Sequence, residues 1–193
     1  VVVASGGYGN NKELLSDELK DVLYYGPESS TGDGIVLTST KDIDAATRLM
    51  EYGKMYPNGV EISEGKAKST IGGNIVVFKE NAILVNSEGK RVVNEKASNK
   101  QILEVELAQP DKMLYVLMDQ EAFDLFKSAV AEAGISEADL DKWVKSNGAE
   151  TPFLYNGESI DDLAKASGID ASVLNETVKT YNQYVKDLSL IHI

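Results

Sequence analysis

GGNIVVFKENAILVNSEGKR, residues 72–91, is where the chain changes texture. Upstream of it the sequence alternates polar, helix-like runs with glycine-rich loops. Here two apolar runs, NIVVF and AILVN, flank Lys79-Glu80-Asn81, and Ser87-Glu88-Gly89 closes the second. Runs of four to eight β-branched and aliphatic residues bounded by turn residues read as short strands. The expectation is therefore a pair of strands over 74–86. Working downstream, residues 101–109 suit a helix that Pro110 stops, because proline removes an amide donor and clashes with the preceding turn. MLYVLMD, residues 113–119, reads as a buried strand. Helices are predicted over 120–133, 136–146, 159–167 and 171–186. In the third of these, Ser159 and Asp162 form a capping-box-like start and Gly168 a stop. In the second, Leu140, Trp143 and Val144 share a face expected to be core. The acids Glu137, Asp139, Asp141, Asp161 and Asp162 sit near helix starts, where they offset the macrodipole. Asn175-Glu176-Thr177 matches a glycosylation sequon but falls inside the last helix. This half is α+β.

Working upstream, the chain opens VVVASGGYGNN, which reads as a buried strand over Val1 to Ala4 running into a glycine turn. It has no methionine in front, so the strand is expected to belong to a sheet built largely by chain that precedes residue 1. Residues 12–23 put Leu14, Leu15, Leu19, Val22 and Leu23 on one helical stripe. A loop over 24–34 carries three glycines and a proline, and a second helix-like stretch covers 34–52. The boundary between the two halves falls near residues 55–58.

Composition excludes several chemistries. Nineteen Lys and Arg against thirty-one Asp and Glu give a net charge of −12, the wrong sign for a nucleic-acid surface. With no cysteine there is no disulfide, thiolate nucleophile or cysteine metal site, and the one histidine, His192, stands at the extreme end. A catalytic triad or a histidine-ligated metal is thereby excluded within this chain. No apolar run approaches the ~18 residues of a membrane span. The cellular address stays open between the cytoplasm and the bacterial cell envelope.

Two loops could carry chemistry. Ser5-Gly6-Gly7-Tyr8-Gly9 follows a strand, where glycines allow close approach to a cofactor. The dinucleotide fingerprint fails, since Lys12 stands where its third glycine belongs, and a plain strand-to-loop turn explains the segment equally well. Thr31-Gly32-Asp33-Gly34 reads either as a ligand-facing loop or as a helix N-cap.

ASGGYGNN, TGDGI, AILVNSEGKRVVNE and SIDDLAKASGIDASVLNETVKTYNQYV, in that order and spacing, resemble the flavoprotein subunits of fumarate reductases and succinate dehydrogenases. The soluble, flavocytochrome-like bacterial branch is the nearest. The resemblance implies that residues 1–54 are a short α/β remnant of an FAD-binding, Rossmann-like domain and 55–187 an α+β capping domain. Residues 188–193 (LSLIHI) match nothing in that family and read as a non-native tail. It further implies FAD as cofactor, contacted by Asp33 first, then by Ser5, Gly6 and Gly7, with Gly32 and Gly34 completing the Gly-Asp-Gly loop. The complete enzyme would pass hydride from reduced flavin to the C=C bond of a small unsaturated carboxylic acid, fumarate or a relative of it.

The substrate positions depart from the family. Tyr56-Pro57-Asn58 replaces its His-Pro-Thr, the substrate-binding Thr-Glu pair falls at Asn74-Ile75, and the proton-donating arginine falls on Asn99. An asparagine cannot donate that proton. Lys100 is the nearest cation and Arg91 lies in the turn; both read as solvated surface charges. The expected partners are the acid substrate and the remainder of the flavoprotein chain. Residues 1–193 by themselves are expected to be inactive, since the fingerprint for the pyrophosphate is not among them. The rival reading is a non-catalytic α/β binding or interaction module in which both glycine loops are only turns.

Overall fold

The structure, a computed structural model, describes residues 2–187. Val1, the tail over 188–193 and His192 lie outside the described residues. The elements are α1 (Asp17–Lys20), α2 (Asp33–Thr38), β1 (Gly59–Ser63), β2 (Lys66–Ser69), α3 (Ile71–Val77), β3 (Ile83–Val85), α4 (Asn99–Leu107), β4 (Tyr115–Leu117), α5 (Gln120–Val130), α6 (Glu137–Ser146), α7 (Ile160–Ser167) and α8 (Ala171–Lys186). A single 3₁₀ turn, Ala131–Ala133, follows α5. The strands form two antiparallel pairs, β1 with β2 and β3 with β4.

The decisive stretch divides differently from its sequence reading. AILVN does supply a strand, with Ile83, Leu84 and Val85 buried and paired to Leu117, Val116 and Tyr115. IGGNIVV is a helix, α3. Its buried residues, Gly73, Asn74 and Val77, follow helical spacing, whereas Ile75 is 54% exposed. The cause is tertiary. A side chain at Gly73 would collide with Phe126 and Val130, and one at Gly72 would come within 2.9 Å of the Ala129 carbonyl oxygen. Two adjacent glycines thus let α3 press its backbone against α5, and that packing overrides the β-propensity of Ile75, Val76 and Val77. Residues 59–69, to which the sequence analysis assigns no element, form a hairpin closed at Gly65 (φ +72°), whose amide donates to the Glu61 carboxylate at 2.8 Å.

The C-terminal elements follow their local signals. Ser98 with Gln101 and Ser136 with Asp139 complete capping boxes on α4 and α6. The hydrogen bonds from Ser136 hold the Asp139 carboxyl below its ordinary range. Ser159 accepts from the Asp162 amide, Gly168 ends α7 in the left-handed region, and Asp170 caps α8. Leu140 is fully buried beside Val130 and Ile135, with Val60, Phe126 and Trp143 packed around them. A second cluster joins Leu84, Val93 and Ile102. The turn after β3 is built by Asn86, whose side-chain oxygen accepts from the amides of Glu88 and Lys90. Thr177 on α8 donates to the Gly89 carbonyl at 2.7 Å and pins the last helix to that turn.

The N-terminal third differs from its expectations. Residues 2–8 form no strand, the helix over 12–23 shrinks to the four residues of α1, and that over 34–52 to the six of α2. A strand needs a neighbour for its ladder, and an amphipathic helix gains most of its stability from the surface it covers. Here neither is supplied. Val36, Leu37, Ile43, Leu49 and Tyr52 are all more than half exposed.

Candidate functional site

Three chain-distant asparagines meet at the α3–α4 end of the molecule. Asn58 immediately precedes β1, Asn74 lies on α3, and Asn99 is the first residue of α4. Asn74 Nδ2 donates to Asn58 Oδ1 at 2.8 Å, and Asn58 Nδ2 donates to Asn99 Oδ1 at 3.4 Å. Asn58 and Asn74 are 8% and 7% exposed, whereas Asn99 is exposed, so the relay runs from a sealed end to a solvent-facing one. It faces a cleft of about 460 Å³ with Ile75, Phe78 and Ile102 as its apolar wall and Lys79 and Lys96 as its cations. Among the described residues neither lysine is engaged in an ion pair.

Two of the sequence candidates, Asn74 and Asn99, are thus brought together, and Asn58 links them. Lys100 is placed elsewhere. Successive helical residues point about 100° apart, so Lys100 turns away from the Asn99 direction. Its side chain is 85% exposed and lies 3.8 Å from Glu104, one turn on. Sequence reading missed Lys79 and Lys96 because adjacency along the chain was its guide to the nearest cation. Arg91 departs from its reading as a solvated charge. Its side chain is 10% exposed, its Nε and Nη2 hold the two oxygens of Glu95 at 2.9 and 2.6 Å, and it stacks over the Tyr181 ring. Glu95 also accepts from the Leu84 amide at 2.8 Å, so this carboxylate is saturated although it borders the cleft.

A second, shallower cleft of about 270 Å³ gathers Ser5, Gly6, Gly32 and Gly34 with Val3 and Thr38. The two glycine loops are tied together there, the Gly32 amide donating to the Gly7 carbonyl at 3.0 Å and the Asn11 side chain to the Thr31 carbonyl at 2.9 Å. A Cβ on Gly34 would come within 2.5 Å of Ser5 Oγ and 2.8 Å of Val3 Cγ1. Only glycine permits that approach. Asp33 takes no part in the lining; its carboxylate is exposed and accepts from the Thr31 hydroxyl at 2.7 Å. Gly32, with φ +76°, occupies the N-cap of α2, so the side-chain capping role considered for Thr31 and Asp33 is not observed. A wall of main chain with the hydroxyls of Ser5 and Thr38, kept open by three glycines, fits a flat ring or a phosphate that lies against backbone. Among the described residues no cluster of acids or imidazoles could hold a metal ion, and no helix is long and apolar enough to cross a membrane.

One carboxyl outside both clefts is strongly perturbed. Burial pushes Glu106 on α4 up to about 7, and desolvation, then the charges of Tyr56 and Glu106, raise Tyr25, whose hydroxyl is buried without a partner. The folded state therefore holds a proton on Glu106 that the unfolded chain releases near 4.5. Stability from this group is full below pH 4.5 and declines as pH rises through about 7. Glu106→Gln is expected to flatten that decline, measured as urea midpoints across the same pH range; an unchanged slope would exclude Glu106 as its source.

The chain is 27% identical over 188 residues to a probable fumarate reductase of Shewanella frigidimarina, covering 96% of this chain and 28% of that protein. It is 28% identical over 196 residues to a urocanate reductase of Eggerthella lenta, covering 97% and 29%. Among solved structures, the open conformation of a flavocytochrome c3 fumarate reductase matches with a TM-score of 0.65 at 27% identity, over 97% of this chain and 29% of that one. The chain thus spans less than a third of the length of the curated relatives it matches. The resemblance to fumarate-reductase flavoproteins holds along nearly all of it. A family model described as FAD binding domain matches residues 1–191. With FAD as its cofactor, the chain belongs to the FAD binding domain family.

Proposed function

We propose that the full-length protein is an FAD-dependent oxidoreductase of fumarate-reductase type that reduces the C=C bond of an α,β-unsaturated acid. The observation that carries this reading is the convergence of Asn58, Asn74 and Asn99 on one cleft. These are the positions where the resemblance places the substrate contacts, and the relatives include a probable fumarate reductase and a urocanate reductase. In this reading residues 1–54 contribute to the flavin domain and 55–187 form the capping domain over the substrate. Ser5, Gly6, Gly7, Gly32 and Gly34 form the backbone wall against FAD, with Asp33 ordering the loop through Thr31.

FAD, when bound in its reduced form, would supply the hydride. The net reaction adds that hydride and one proton across the double bond, so the acid is reduced and the cofactor oxidised. The three carboxamides orient one end of the acid, and the apolar wall of Ile75, Phe78 and Ile102 keeps water off the alkene. Asn99 holds no proton it can give up, whereas the ammonium groups of Lys79 and Lys96 do. Each neutralises negative charge as it develops in the cleft.

Full-length protein is expected to purify yellow and to oxidise a reduced viologen dye when given an unsaturated acid. Asn74→Ala, which cuts the relay at its buried end, is expected to lower kcat/KM ~10-fold, in line with the loss of one buried hydrogen bond. A colourless, flavin-free preparation would overturn the reading.

A further inference from the structure

The asparagine relay has a direction, and that direction carries information about the ligand. Asn74 donates to Asn58 and Asn58 donates to Asn99. The Asn99 oxygen is therefore engaged while its amino group is left to donate, and at the other end the Asn74 oxygen is left to accept. The two ends of the relay thus differ in polarity, an amino group that donates at Asn99 and a carbonyl oxygen that accepts at Asn74, both from neutral groups. Among the described residues the charged groups lining this cleft are Glu95, which accepts from Arg91 and the Leu84 amide, and the exposed Lys79 and Lys96.

A carboxylate is acceptor-only, so placed against the relay it could use the Asn99 amino group but would face the Asn74 oxygen with like polarity. A carboxamide offers both a donor and an acceptor and meets both ends of the relay. Resting on the reductase reading above, we propose that the Asn58–Asn74–Asn99 relay selects an unsaturated acid carrying one carboxylate, held by Lys79 and Lys96, and a neutral carboxamide at its other end. A dicarboxylate is then the poorer ligand.

The test uses full-length, FAD-loaded protein with fumaric acid monoamide and fumarate as probes. Binding is read as the change in flavin absorbance of the oxidised protein, and turnover as oxidation of a reduced viologen. The monoamide is expected to bind and turn over ~10-fold or more better than fumarate, because a site built to pair a donor and an acceptor rejects an analogue that lacks one of them. Asn99→Arg, at an exposed helix start where the change leaves the core untouched, is expected to reverse that preference by supplying a cation. Equal or better use of fumarate by the wild type, or an unchanged preference in Asn99→Arg, would overturn the selection while leaving the reductase reading intact. Failure of every unsaturated acid to oxidise the reduced flavin would overturn both.

Discussion

Glu95→Ala is expected to destabilise the protein by ~3–5 kcal/mol, the cost of stranding one partner of a buried ion pair. The Glu95 side chain is 5% exposed and its two oxygens accept three hydrogen bonds, two from Arg91 and one from the Leu84 amide. Removing it leaves a guanidinium of 10% exposure with only the Tyr181 ring for company, and an unpaired amide in β3. Both losses act on the same strand, since Val85 bridges to Arg91 on the far side of the turn. Urea denaturation of wild type, Glu95→Ala, Arg91→Met and the double variant would measure this. The double variant is expected to recover part of the loss, because no buried charge is then left unpaired. A loss below ~1 kcal/mol in Glu95→Ala would mean that the pair is solvated, as exposed pairs of that worth are.

Leu140→Ala is expected to cost ~2–5 kcal/mol, the range for emptying a closed aliphatic site. Leu140 has no exposed surface and ties α6 to Val130 and Ile135, with Val60 from the hairpin and Phe126 from α5 against the same cluster. The cavity would therefore open where three elements meet and where none can move alone to fill it. The consequence reaches the cleft, because α5 is the surface on which α3, and with it Asn74, is seated through Gly72 and Gly73. Leu140→Met keeps the volume and is expected to lose less than ~1.5 kcal/mol. Equal unfolding midpoints for the two variants would show that packing at this position is not what holds α6.

Several elements were legible because their signals are local. The cap at Ser159 and the stop at Gly168, both read from the sequence, satisfy backbone groups within a few residues of themselves, as do the caps Ser98, Ser136 and Asp170 that the structure adds. The helices they bound lie within a residue or two of where the pattern puts them. AILVN was legible as a strand because it is apolar on both faces and bounded by an Asn-Ser-Glu-Gly turn. FAD was readable from the ordered set of motifs, and the family model matched over residues 1–191 agrees with it.

What the tertiary structure decided depends on partners that no local window contains. IGGNIVV has the composition of a strand, and only the face of α5 against Gly72 and Gly73 makes it helical. Glu95, which pairs with Arg91, is only four residues on, but the Tyr181 ring that lies against that guanidinium comes from ninety residues away along the chain. The N-terminal stripe of Leu14, Leu15 and Leu19 is helix-like in pattern yet yields one turn of helix, because amphipathic patterning stabilises only against a surface that covers it. The candidate cleft shows both sides. The sequence by itself put asparagines at 58, 74 and 99, positions that the resemblance marks as substrate positions. That they form one directed relay, with Lys79 and Lys96 rather than Lys100 beside it, follows from how β1, α3 and α4 come together, since hydrogen bonding acts across space and not along the chain.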